Sequence, residues 1–169
     1  MEAIRGDSGL LDSTVFKIIV ENTPLVSIDL CLVCKDQLLL GRRNNEHLKG
    51  RWFTPGGRIH KNESWQAALK RIAFTELSLR SENLDDVELM GVWDYFYSNS
   101  VVNEGISTHY VNLRHFCGFK SKPIILVDDQ HDYLDWFDIA KMASDEGFHP
   151  YDQNYADYLM RYEIENVKN

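Results

Sequence analysis

No stretch of this chain approaches the roughly 20 apolar residues that span a bilayer. The opening segment, MEAIRGDSGLLDS, lacks the apolar centre of a signal peptide. A cytoplasmic location and no membrane partner are the resulting expectations. Cysteine is scarce, and three residues, an odd number, form no disulfide framework. Cys31 and Cys34 are spaced like a metal pair, but residues three apart on a strand point to opposite faces, and no second pair exists. Buried structural thiols are the expected reading. Positive charge is short as well. A formal net charge of −8 argues against a surface for polymeric nucleic acid. Internal repeats, low-complexity runs and linkers are missing too, so 169 residues with 44% hydrophobic content imply one domain over 1–169, with 1–11 and 165–169 loose.

What basic charge there is lies together. Residues 41–71 hold eight Lys or Arg (42, 43, 49, 51, 58, 61, 70, 71) against Glu46 and Glu63, a net of +6, so the remainder carries −14. A basic pocket on an acidic body suits a small polyphosphate better than a polymer.

The stretch Trp52 to Leu79, WFTPGGRIHKNESWQAALKRIAFTELSL, organises the chain. It begins as an extended aromatic segment, is expected to turn sharply at Pro55-Gly56-Gly57, and passes through a polar loop into a helix. Asn62 and Ser64 are both candidate N-caps. Trp65, Ala68, Leu69, Ile72, Ala73, Leu77 and Leu79 approximate the spacing of an amphipathic helix laid on a sheet. Trp65 and Trp136 are assigned to the core. Residues 12–22 read as a short helix stopped by Thr23-Pro24, and 25–34 as a strand apolar on both sides. Gln37 to Arg43 closes a hairpin, and 88–97 and 107–119 are long aromatic strands. A strand at 133–137, a helix at 139–146 and an amphipathic helix from His149-Pro150 complete the order. This is an α/β pattern, a mixed sheet between helices. The terminal helices carry more aromatics than a small core requires, so a homodimer contact is expected there.

Asp29 interrupts the first strand. A carboxylate there is costly unless paired; it is either bonded to backbone or Arg, or an acceptor for a ligand hydroxyl.

Gly57, Glu63, Arg71, Glu76 and Leu79 resemble the box of the Nudix hydrolases, in which a Gly is followed by Glu, Arg and a Glu-rich turn. Ile72, Thr75 and Ser78 stand where that family places Glu, Glu and Gly. TPLVSIDLCLV (23–33), QLLLGRR (37–43), GRWFTPGGR (50–58), GVWDYFY (91–97), STHYVNL (107–113) and DDQHDYLDWF (128–137) are similar to the GDP-mannose mannosyl hydrolase branch of the family. The resemblance covers about residues 12 to 140. It implies the Nudix-type α/β/α sandwich, a homodimer, and one Mg²⁺ ion per active site. The implied metal ligands are the Gly56 carbonyl, Glu76 and Gln130. His131 matches the family's general base, and Asp29 a substrate-contacting carboxylate. Arg43 is the strand-end arginine that matches the pocket position.

Elementary chemistry favours the same branch. Cutting a nucleoside diphosphate sugar at phosphorus needs metal-activated water and a bed of several carboxylates. Cutting at the sugar C1 passes through an oxocarbenium-like state; it needs charge neutralisation of the leaving diphosphate and one base for water. Arg43 and Arg58 supply planar guanidinium forks for a departing GDP, and Tyr110 a phenolic hydrogen bond to phosphate. An imidazole such as His131, with a pKa near ~6.5, suits the base, and flanking carboxylates would raise it. Glu63 and Arg71 are expected to pair and brace the loop before the helix. The expected activity is Mg²⁺-dependent hydrolysis of GDP-mannose, with GDP-glucose as a second candidate, by water attack at C1 with inversion. The alternatives are an ordinary Nudix diphosphatase cutting at phosphorus, and a catalytically silent nucleotide-sugar binder.

Overall fold

Alternation along one strand sets the layers. The structure, a computed structural model, describes residues 11–43, 50–84, 87–103, 105–125 and 131–166. In β1 (Leu25–Cys34), Ile28, Leu30 and Leu32 pack to one side and Cys31 and Val33 to the other. A strand shows alternate residues to opposite faces, so β1 is the shared wall of two cores. The first core closes under α2 (Trp65–Leu77), through Ala68, Leu69, Ile72, Ala73 and Leu77. The second closes under α3 (Ile139–Ser144) and α4 (Pro150–Asn166), through Ile139, Met142, Tyr155, Ala156 and Leu159. A sheet between helices results, the α/β/α arrangement expected.

The sheet is mixed, with the order β3-β2-β1-β6-β5 among the described residues. β2 (Gln37–Arg43) returns antiparallel to β1 through a turn at Lys35, whose φ is 55°. β6 (Thr108–Phe119) runs parallel to β1, and β5 (Val87–Tyr97) antiparallel to β6. The short β3 (Trp52–Phe53) and β7 (His131–Asp138) both pair with β2, while β4 (Gly56–Arg58) pairs with the first half of β1. Helix α1 (Ser13–Asn22) starts at Asp12, whose side chain accepts the Thr14 and Val15 N–H groups. No helix among the described residues is long and apolar enough to cross a membrane.

Several expectations need correcting. Gly56 and Gly57 do not turn; they are extended and paired with Asp29 and Ile28. The glycine at 56 is required by crowding, since a Cβ there would lie 2.4 Å from Asp29 Oδ1 and 2.5 Å from the Ile28 carbonyl oxygen. Trp65 is 43% exposed, stacked on His115, and is not a core residue. Trp136 does pack against the first core. The third helix ends at Ser144 rather than 146. Tyr155 and Leu159 are fully buried, and the Tyr158 hydroxyl donates to the Met90 carbonyl. Tyr155 and Tyr158 are therefore engaged within the fold. Cys31, Cys34 and Cys117 are buried thiols.

Candidate active site

The cleft forms where β4 inserts beside β1 and α2 begins. Ser64 accepts the Ala67 N–H and so is the N-cap of α2. Just before it, Glu63 and Arg71 form a two-pronged pair, Nε to Oε1 at 2.7 Å and Nη2 to Oε2 at 2.8 Å. Glu63 also accepts the His60 N–H, and Arg71 donates to the Arg58 carbonyl at 2.9 Å. The brace therefore ties α2 to the end of β4. The Arg71 guanidinium holds the Glu63 carboxyl down to about 2.

A cleft of about 320 Å³ lies between these elements, and Asp29, Gly56, Arg58, Glu76 and Tyr110 all line it. Five of the residues singled out in the sequence are thus brought together from β1, β4, α2 and β6. Glu76 is 6% exposed, and its Oε2 accepts the Gly56 N–H at 3.1 Å. Arg58 lies with its guanidinium carbon 4.1 Å from the Phe16 ring centroid. Burial lowers its pKa, with Tyr110 opposing, but a guanidinium stays charged. Arg71 lines the same cleft, which gives it two cations.

Asp29 is 7% exposed and its Oδ2 accepts from two phenols, Tyr95 at 3.3 Å and Tyr155. Neither backbone nor Arg, the structural partners expected for it, is the group these bonds use. Tyr95, which also lines the cleft, is 3% exposed with its hydroxyl in this network. Behind it lie Arg114 and Asp152, both buried. Burial and the nearby Asp29 push the Asp152 carboxyl up to about 8. Sequence reading missed Tyr155, Arg114 and Asp152. Parity was the available signal: Asp29 shares a face with Cys31 and Val33, and that face meets α4.

Gln130 lies outside the described residues. Arg43 and His131 are placed by backbone only, and their side chains lie outside the described residues. His131 is the first residue of β7 rather than a loop residue, and it pairs in register with Arg43 across a bulge between Arg42 and Arg43. The two positions are therefore neighbours on adjacent strands.

Among the described residues no three His, Cys, Asp or Glu gather as a metal cluster. The donor set implied for a single Mg²⁺ is of another kind: one carboxylate, one backbone carbonyl and one amide. Its two described members, Glu76 and Gly56, are in contact. All three are the oxygen donors that a hard cation takes, so the residues fit such an ion.

A NUDIX domain model matches residues 24–159. The low-salt glycan biosynthesis protein Agl8 of Haloferax volcanii is 38% identical over 144 residues, covering 83% of this chain and 85% of that protein. The MutT protein from Methanosarcina mazei Go1 superposes with a TM-score of 0.67 at 19% identity, covering 86% of this chain and 97% of that one. The NUDIX domain of Shewanella oneidensis NrtR, complexed with ADP ribose, gives a TM-score of 0.65 at 15% identity, over 83% and 89% of the two chains. These two structures speak to the fold alone.

Proposed function

Because this chain belongs to the Nudix family, we propose that it hydrolyses a GDP-sugar, GDP-mannose first and GDP-glucose second, at the sugar C1. The observation that carries this reading is the cleft face of α2. Glu76 is its only carboxylate; Ile72 is buried in the core and the Thr75 hydroxyl bonds back to the Arg71 carbonyl. A bed of glutamates for attack at phosphorus is missing from that face, while cations for a leaving diphosphate are present. The name of the Agl8 relative places that protein in glycan biosynthesis, which suits a nucleotide-sugar substrate here.

In the reaction, water attacks C1 from the face opposite the diphosphate, His131 takes its proton, and the C1–oxygen bond breaks. GDP leaves with inverted free sugar as the other product. Arg43 and Arg58 neutralise the departing diphosphate, and Tyr110 donates to a phosphate oxygen. Asp29 accepts a sugar hydroxyl. Nudix hydrolases generally use a divalent metal; Gly56, Glu76 and Gln130 would hold one Mg²⁺, which supplies positive charge beside the diphosphate. A cytoplasmic homodimer completes the reading. Its contact is better sought on the β5 edge, where Leu89, Val92 and Phe96 are all more than half exposed.

His131→Gln tests the reading. A fall in kcat of about 10²–10⁴-fold with GDP binding retained is expected for loss of a general base. An unchanged kcat removes His131 from the reaction. A wild-type protein that binds GDP-mannose in calorimetry without turning it over is a silent binder.

A further inference from the structure

Asp29 is fastened by two phenols, one of which, Tyr95, also lines the cleft. Its Oδ2 accepts the hydroxyls of Tyr155 on α4 and Tyr95 on β5, and those hydroxyls also touch each other. Arg114 Nε donates to the Tyr95 oxygen at 2.9 Å. A guanidinium only donates and a carboxylate only accepts, so Arg114 donates to Tyr95 and Tyr155 donates to Asp29, while the single Tyr95 proton is shared between Asp29 Oδ2 and the Tyr155 oxygen. The guanidinium itself is held between rings, 4.1 Å from the Trp93 centroid and 3.8 Å from that of Tyr155. Arg114 is 1% exposed and does not line the cleft. Its charge supports the carboxylate through the Tyr95 hydroxyl.

The other carboxylate oxygen, Oδ1, lies against Gly56 at the mouth of β4. The two oxygens therefore divide. Oδ2 is given to the phenols, and Oδ1 lies beside the strand that carries the diphosphate groups in the proposed reaction. A carboxylate without such fastening has a rotatable χ1 and a broad χ2, and would present its oxygens to ligand in several orientations.

We infer that Tyr155 and Tyr95 are positioning residues, which set the Asp29 carboxylate toward the sugar of the substrate and make α4 part of the sugar subsite. This rests on the proposed role of Asp29 as the acceptor for a sugar hydroxyl. Neither tyrosine hydroxyl has a part in holding the nucleotide.

Tyr155→Phe deletes the O–H and keeps the ring that Arg114 stacks on. KM for GDP-mannose is expected to rise about tenfold, as for loss of one charge-assisted hydrogen bond, with the inhibition constant of GDP within about twofold of wild type. Asp29→Asn should raise KM similarly. Adding Tyr155→Phe to it should change KM less than about twofold, because both act through one carboxylate. Tyr95→Phe serves as the second variant should Tyr155→Phe fail to fold. If Asp29→Asn raises KM while both tyrosine variants leave it unchanged, the positioning role is overturned. If the tyrosine variants weaken GDP and GDP-mannose equally, the phenols are merely structural and the inference also falls. If Asp29→Asn itself leaves the ratio of GDP-mannose to GDP affinity unchanged, the sugar contact is wrong and the inference goes with it.

Discussion

The backbone N–H of Gly56 donates to Glu76 Oε2 at 3.1 Å, joining residues 20 apart in sequence in the lining of the cleft. The bond sets a β4 glycine and an α2 carboxylate on the same wall, and it orients a carboxylate that is otherwise buried. In Glu76→Gln the amide oxygen still accepts from Gly56, so the fold should hold. The charge for a divalent cation is lost. Several kcal/mol of electrostatic stabilisation correspond to a kcat/KM loss of about 10²–10³-fold. Magnesium-titrated kinetics alongside a melting curve check this; an active variant would remove Glu76 from the metal set.

The Glu63–Arg71 pair should make stability depend on acid. The Glu63 carboxyl sits at about 2, below its usual 4.5. Its contribution is therefore present above about pH 4.5 and is lost as pH falls towards 2. Glu63→Gln should cost about 1 kcal/mol at pH 7, a value discounted because Arg71 remains 31% exposed. The gap to wild type should close in urea titrations as the pH is lowered.

Asp152 should act in the opposite direction. Burial, then the Asp29 charge, raise its carboxyl to about 8, while the His149 N–H, Arg114 and Arg51 oppose. The stability it contributes as a neutral acid is complete below about pH 4 and is lost as pH rises through about 8. Asp152→Asn should therefore gain on wild type across that window, at up to about 1.4 kcal/mol per pH unit. Denaturation at pH 5 and pH 8 measures the change; parallel curves would contradict it.

Ser78 caps α2 in the left-handed region, at φ 54°, where the family pattern has glycine. Its N–H and that of Leu79 return to the Phe74 and Ala73 carbonyls. A side chain is strained there and glycine is not. Ser78→Gly should stabilise by about 0.5–1 kcal/mol, or about 1–4 °C in Tm.

The sheet and helices were legible because each carries its own mark, a run apolar on both sides in β1 and a period near 3.6 in α2. The Glu63–Arg71 brace was legible for the same local reason, since the two residues are eight apart on one loop and helix. What was misjudged depended on distant chain. Pro55-Gly56-Gly57 looks like a turn, yet its glycine answers to Asp29 and Ile28 on another strand. Two partners of Asp29 lie 66 and 126 residues away, on β5 and α4. The burial of Tyr155 was hidden because an amphipathic pattern does not say which body covers the apolar side. The strand expected from 133 begins instead at His131, whose pairing with Arg43 lies far away in sequence.

Which bond water breaks decides the reaction, and hydrolysis of GDP-mannose in ¹⁸O-enriched water reads that directly. Attack at C1 places the label in the released mannose and leaves GDP unlabelled. Label in a phosphate group, with a nucleoside monophosphate and a sugar phosphate as products, would contradict it.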